Sequence, residues 1–491
     1  MMNKLLKVSL IAFAMATVML CMSVTAAADM DLTYGENELK LYGTASTEDM
    51  VSSASVDEDA LDYVVRMHRS GADEILLYDR GYKVKTTELY SLQQARLYAA
   101  PDLFYVSNRY SYSNYSNGYV YAIYPQYTMT GSTLTRAKAE YNSMIEHITE
   151  QAEGLDSDLE LALFYHEYIV ANYEYDNDLG IFDAYTMLKQ KEGVCQAYTL
   201  LYAELLNRAG IDNTAVISDG LVHVWNALEI NGRWFLADLT WDDPIYDIPG
   251  RVNHNYFLRS MGQFGHLYNG TRDWVVADGR SLSYSTYYDS AFWCSYEGWV
   301  HPYEGKVYYM DYDGSNSYVY NRSLGNLATA SKMFSAKSHL YVDGGYYPNS
   351  LGFCGLGDKL YYAVSGAHNR AYVYEYDLDD GARRSVFTYT HTCSGTNCSI
   401  GILALMPDGN NIRYLSADIN NAYNGTVSYF ELSVLMDVNG DGTVTNADIS
   451  LYVRYLSGWQ GLTFSTVNAD VDKNGKYNNR DLIAIIKYVN G

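Results

Sequence analysis

Apolar positions change their period several times along the chain, and each change marks a different kind of element. Between Val56 and Ser70 they recur at helical spacing, whereas Leu103-Phe104-Tyr105-Val106 and Tyr119-Val120-Tyr121-Ala122-Ile123-Tyr124 read as strands. From about residue 155 the pattern turns helical. Ser157 can cap a run through Leu159, Leu161, Leu163, Phe164 and Ile169. A second helix is predicted near Phe182 to Gln190. A third starts at about Cys195, with Tyr198, Leu201, Tyr202, Leu205 and Leu206 as its apolar stripe and Gly210 as its stop. Two strands follow, Leu221 to Ile230 and Arg233 to Thr240. Asn231-Gly232 between them is a strong short-range hairpin signal.

Further on the pattern repeats. Gly305-Lys306-Val307-Tyr308-Tyr309 returns as Asp358-Lys359-Leu360-Tyr361-Tyr362, and more faintly as Asn411-Ile412-Arg413-Tyr414-Leu415. A second strand trails each copy: Tyr318-Val319-Tyr320, Tyr372-Val373-Tyr374 and Val427-Ser428-Tyr429. Repeated antiparallel hairpins of this kind read as propeller-like blades or a sandwich.

Length and composition set the frame. A chain of 491 residues is too long for one core, so several domains are expected. Lys4 and Lys7, an apolar run from Val8 to Met22, and Ala26-Ala27-Ala28 read as a cleavable export signal over 1–28. No later apolar stretch is long enough to span a membrane. The remaining layout is a mixed support domain over 29–150, a helix-on-sheet domain over 151–275, a Tyr-rich β-repeat domain over 285–432 and a small helical module over 434–491. The fold class is multidomain α+β. A formal net charge of -24 argues against nucleic acid and anionic membranes as partners. The 52 tyrosines suit half-buried sheet faces.

Five cysteines remain without Cys21: Cys195, Cys294, Cys354, Cys393 and Cys398. An odd count in an exported protein flags a free thiol, and Cys195 stands apart. Cys393 and Cys398 are close enough to pair, which leaves Cys294 with Cys354, one of three connectivities.

Cys195 is also the residue with chemistry. At a helix N-terminus the dipole and free N–H groups favour its thiolate. A thiolate nucleophile needs a general base, and the base needs an orienting group. If Ile230 pairs with Arg233, His223 faces Thr240, and Asp238 lies on the same sheet face as His223, a diagonal neighbour that side chains can reach. The backbone N–H of Cys195 is a candidate oxyanion donor, with Gln190 and Tyr175 as upstream polar candidates for a second.

Gly193-Val194-Cys195-Gln196-Ala197-Tyr198, His223-Val224-Trp225-Asn226 and Asp238-Leu239-Thr240-Trp241-Asp242-Asp243 together resemble the bacterial transglutaminase-like domain of the papain-like group. The resemblance implies a helix packed on an antiparallel sheet, with Cys195 as nucleophile, His223 as general base and acid, and Asp238 as orienter. The chemistry implied is acyl transfer through a thioester from a protein or peptide substrate. Water as acceptor makes a peptidase or amidase, and a lysine amine makes a crosslinker. Hydrolysis is the favoured expectation. A non-catalytic adhesion or glycan-binding component, working through the Tyr-rich repeats, is the alternative of another class.

The chain ends in two Asp-rich loops, Asp437–Asp448 and Asp470–Asp481. Oxygen side chains fall at loop positions 1, 3, 5, 9 and 12, with glycine at 6, the pattern a hard cation needs. The candidate calcium ligands are Asp437, Asn439, Asp441, Thr443 and Asp448, then Asp470, Asp472, Asn474, Lys476 and Asp481. Thr443 and Lys476, at position 7, offer backbone carbonyls. Each loop leads into a short helix, at an offset of 33 residues, and no clear helix precedes either loop. This duplication closely resembles a type I dockerin over about 434 to 491. The resemblance implies two structural calcium ions, a cohesin partner on a cellulosome scaffold, an extracellular location and a polysaccharide-degrading setting. Positions 10 and 11, Asn446-Ala447 and Asn479-Arg480, differ between the copies, so equivalent docking of the two faces does not follow.

Overall fold

The computed structural model describes residues 32–42, 56–243, 249–314, 316–342, 345–365, 370–390, 400–409, 411–418, 426–432, 436–439, 444–459, 461–462, 464–469, 471 and 476–490. The predicted export signal, Cys393, Cys398, and the loop residues Asp441, Thr443, Asp470, Asp472 and Asn474 lie outside them.

The first layer is an antiparallel sheet in the order Leu32–Glu38, Val106–Tyr115, Val120–Tyr127, Ile75–Leu76. Helices Glu58–Arg69 and Thr86–Ala99 cover it through Val64, Leu89, Leu92, Ile75 and Ile123. Leu103 does not begin a strand as expected. Pro101–Leu103 is a 3-10 turn, and the strand starts at Val106, because Pro101 sets φ for a helical turn rather than for extended chain.

Helix Asp158–Asn172 opens on a reciprocal cap between Ser157 and Glu160. It is buried on every side because it stands between two domains. On one side it packs against helix Cys195–Ala209. On the other it meets the β-repeats: Tyr168 donates to Asp408 at 3.0 Å, Asn172 to Pro407 O at 3.3 Å, and Gly305 N–H to Glu160 at 2.7 Å. One continuous apolar core therefore runs from this helix into the β-repeat region.

The second sheet has the order Trp274–Val276, Asn213–Ser218, His223–Ile230, Arg233–Ala237. Ile230 pairs with Arg233 across Asn231-Gly232, both at positive φ, as the hairpin signal predicts. The second strand stops at Ala237, short of the expected Thr240. Asp238 instead caps the short helix Leu239–Asp242 by accepting from Trp241 N.

The repeat region forms antiparallel meanders. His301–Tyr303, Lys306–Asp313, Asn316–Ser323 and Asn326–Ser335 make one, and Phe353–Leu356, Lys359–Ser365, Arg370–Asp377 and Arg383–Thr390 a second. Ile400–Asp408, Asn411–Asp418 and Thr426–Glu431 form a third. All three sequence copies occupy the second strand, and each Tyr-rich partner the third. Tyr309 stacks on Tyr320 at 5.6 Å, and Tyr362 on Tyr374 at 5.7 Å, at equivalent places. The fainter third copy pairs Leu415 with Val427 there. No disulfide joins Cys294 to Cys354. The Cys294 thiol donates to Tyr288 O at 3.3 Å, and Cys354 is sealed inside the second meander, so the expected pairing is corrected.

The C-terminal module keeps its own small core of Val438, Tyr452, Ala469 and Ile485 between helices Asn446–Leu456 and Asn479–Asn490. Tyr452 and Ile485 stand 33 residues apart, at equivalent positions of the duplication.

Candidate active site

Cys195 is the first residue of helix Cys195–Ala209, reached through a close approach at Gly193. A Cβ on Gly193 would lie 2.8 Å from Ala197 Cβ and 2.9 Å from Met187 Sδ, so only glycine lets this segment pack there. As the first helical residue, Cys195 has a backbone N–H with no acceptor inside the helix. Asn226 then fixes the helix to the sheet by donating from Nδ2 to Thr199 O at 3.0 Å. Thr199 Oγ1 lies 2.8 Å from Cys195 O and 3.1 Å from Val224 O. These bonds supply the docking that hairpin geometry could not, and they bring the thiol and His223 together.

His223 opens its strand, and its Nε2 donates to Asp238 Oδ2 at 2.6 Å. The other ring nitrogen, Nδ1, is the one left for Cys195. Burial opposes the charged imidazolium, but the Asp238 carboxylate and the adjacent Cys195 outweigh it and raise the His223 pKa to about 10. Burial also opposes charge on Asp238, yet His223, with a further hydrogen bond from His266, holds its carboxyl well below the ordinary range. Asp238 Oδ1 accepts from Trp241 N at 3.2 Å, so both carboxylate oxygens are committed. The expected trio is thus assembled, though Asp238 arrives from the cap of a helix rather than from a continuing strand.

His266 also joins the site: its Nε2 donates to the same Asp238 Oδ2 at 2.6 Å. Its ring is clamped between Trp241 at 3.8 Å and Phe264 at 4.1 Å, and Nδ1 is buried without a partner. Burial lowers its pKa, so it is the neutral tautomer carrying the proton on Nε2. No local pattern marks His266; it comes from a loop 28 residues beyond Asp238. Trp241, 40% exposed, also stacks over His223 at 5.4 Å and forms the solvent edge of the site. Trp225 is fully buried beneath it.

Of the two upstream polar candidates, Gln190 is exposed at the end of its helix. Tyr175 pairs with Gly193 and is half-buried beside Cys195; burial first, then the thiolate, push its phenol up to about 12.

A second buried cluster adjoins the first. His166 Nε2 donates to Asp242 at 3.1 Å, and its Nδ1 lies 3.4 Å from Glu167 Oε1. Burial opposes its charge, but the two carboxylates raise it to about 9. Glu167 also holds His254 Nε2 and accepts from Val300 N at 2.9 Å, while His254 Nδ1 donates to Tyr296 O at 3.0 Å. This cluster joins the helix-on-sheet domain to the first β-meander.

At the C-terminus, Asp448 Oδ1 accepts from Val438 N at 2.9 Å and Asn439 N at 3.1 Å, and Oδ2 from Thr445 N at 2.8 Å. Asp481 repeats this, accepting from Val471 N at 2.9 Å and Asn478 N at 3.0 Å. In the described part of each loop, backbone amides converge on a buried carboxylate, with Asp437 also buried in the first. Of the candidate ligands, Asp437, Asn439, Asp448, Lys476 and Asp481 are among the described residues. Buried carboxylates held by backbone amides, in loops of oxygen donors, fit a hard cation.

A thiol at a helix N-terminus, a hairpin histidine and an acid thus meet in one site. The transglutaminase-like superfamily model matches residues 146–239, and the type I dockerin domain model matches 435–490. The chain therefore carries a transglutaminase-like core and a type I dockerin. No curated protein sequence matches the chain. Among solved structures, one titled as a TGase is 13% identical, with a TM-score of 0.20; the match covers 30% of this chain and 47% of that one. TolB from Acinetobacter baumannii is 14% identical, with a TM-score of 0.13, over 27% of this chain and 42% of its own. The chain spans less than half the length of either. No helix among the described residues is long and apolar enough to cross a membrane.

Proposed function

We propose that this protein is an exported, scaffold-docked thiol enzyme that hydrolyses peptide or amide bonds, with Cys195 as nucleophile, His223 as general acid and base, and Asp238 as orienter. The observation that carries the reading is the His223 imidazole held at Nε2 by Asp238, with Nδ1 left for a thiol at a helix N-terminus. In the first step the Cys195 thiolate forms an S–C bond to the amide carbonyl carbon. The Cys195 N–H faces the developing oxyanion, and Tyr175 is the candidate second donor. His223 Nδ1 gives its proton to the leaving nitrogen as the C–N bond breaks, and the amine departs. Water then attacks the thioester, His223 Nδ1 takes its proton, and the S–C bond breaks to return the thiolate.

In this reading residues 1–28 direct export, 29–150 support the core, 151–275 catalyse, 285–432 form a propeller-like scaffold, and 434–491 dock to a cohesin. Calcium, held by Asp437, Asn439, Asp441, Thr443 and Asp448, and by Asp470, Asp472, Asn474, Lys476 and Asp481, would fold the docking loops and takes no part in the thiol chemistry.

The test is incubation with a casein-like substrate and a labelled amine. New peptide fragments that disappear in Cys195→Ala support hydrolysis. Amine incorporation without fragments replaces it with crosslinking. A Cys195 that no thiol reagent labels selectively near neutral pH, and that His223→Ala leaves unchanged, sinks the enzyme reading in favour of a non-catalytic adhesion component.

A further inference from the structure

A buried cation, Arg96, lies outside both histidine clusters. Arg96, on helix Thr86–Ala99, is 1% exposed. Among the described residues its guanidinium makes one hydrogen bond, from Nε to Gln93 Oε1 at 3.3 Å, and no carboxylate faces it. The groups acting on it are burial, which pulls it down to about 10, and the Tyr110 and Tyr127 phenols, which oppose that shift. Its neighbour His68 is pushed down to about 3 by burial and by Arg96 itself, so it stays neutral and adds no counter-charge. Gln93 Nε2 is also buried without a partner. A buried cation without an anion is costly, and proteins keep one where something else compensates it.

Arg96 lines a cavity of 170 Å³ at the junction of the first layer with helix Cys195–Ala209. Leu97, Leu103, Phe104, Phe182 and Leu200 give it an apolar part, Ser107, Asn108 and Thr128 add neutral polar groups, and Gln196, next to the nucleophile, borders it. Asp183 borders it too, but its carboxylate is turned onto Thr186, 2.8 Å from both N and Oγ1.

We propose that this cavity binds a carboxylate with an aliphatic body, held in a bidentate pair by the Arg96 Nη groups. One guanidinium fork matches one carboxylate. A phosphate would need more positive charge than a single arginine supplies. The carboxylate has two sources, a free short-chain acid or the C-terminus of a peptide. The inference does not rest on the thiol chemistry.

The experiment compares isovalerate and N-acetylleucine with isovaleramide and N-acetylleucinamide on the full chain, by thermal unfolding and calorimetry. One or both acids should raise the melting temperature saturably and release heat, while their amides do neither. Isovalerate alone points to a free acid, and N-acetylleucine alone to a peptide terminus. Arg96→Met should abolish the response yet leave the free protein at least as stable as wild type. Arg96→Lys should weaken it at least tenfold. Equal effects of acid and amide on the wild type, or none, mean the cavity holds only water and overturn the site. So does a full acid response in either variant. The wild-type comparison decides even if Arg96→Met fails to fold.

Discussion

The two buried histidine–carboxylate clusters are built from the same parts but differ in their surroundings. In one, Asp238 gathers His223 and His266; in the other, Glu167 and Asp242 gather His166 and His254. They are joined through the short helix Leu239–Asp242, capped by Asp238 and ended by Asp242. The second cluster is fully sealed, with no side-chain exposure at His166, Glu167 or His254. The first touches a thiol and reaches solvent past Trp241. In the proposed reading, the reactive network is the one with a nitrogen left for a nucleophile at an open edge. Where every donor ends on a protein acceptor, the same chemistry holds domains together.

The sharpest test of this contrast is a pair of isosteric changes. Asp238→Asn should lower turnover about 10⁴-fold, because the imidazole loses its orientation and charge partner. Asp242→Asn should leave turnover within about threefold, below even one lost hydrogen bond. Equal losses in the two variants, read as kcat on a shared substrate, would merge the clusters into one functional unit.

Removing the hub of the sealed cluster should act on stability instead. Glu167→Ala leaves two buried histidines and the Val300 N–H without their acceptor. It should cost about 3–5 kcal/mol in denaturant unfolding, while alkylation of Cys195 in the folded fraction keeps its rate. A variant as stable as wild type would show that this junction contributes nothing.

The pH dependence separates the clusters by window. Folding raises His166 to about 9 and His223 to about 10, against an ordinary value near 6.5 in the unfolded chain. Their stabilisation is therefore complete below about pH 6.5 and lost as pH rises through those folded values. Asp238, depressed on folding, acts in the opposite sense: its contribution is present above about pH 4 and lost as pH falls further. Asp242→Asn should flatten the fall between about pH 6.5 and 9 and spare the part due to His223. A fall of unchanged slope in that variant would mean that His166 is not the group being titrated.

The smallest effect is expected at His266, a positioning residue that acts through Asp238. His266→Phe should slow Cys195 alkylation about tenfold, the worth of one hydrogen bond to a charged group. It should also raise the pH at which His223 loses its proton, because a carboxylate with one donor fewer holds the imidazolium more tightly, which mere loosening of the loop would not do. An unshifted pH profile would reduce His266 to packing.

Local rules read much of the molecule directly from its residues. The Asn231-Gly232 turn, the Ser157 cap and the Gly210 stop depend on neighbours a few residues away, and they stand where expected. Spacing along the chain likewise carries the order of Cys195, His223 and Asp238 and the duplicated Asp-rich loops. The sequence determined which strands of the repeats are equivalent, because alternation and aromatic content repeat with them. Only the tertiary structure decided that Cys294 and Cys354 stay apart, since disulfide pairing depends on distances between segments remote in sequence. It also decided that Asp238 reaches His223 from a helix cap, that His266 shares its carboxylate, and that Arg96 is buried without an acid. Each of these is set by contacts across loops of irregular chain, where no period links the partners and only packing brings them together.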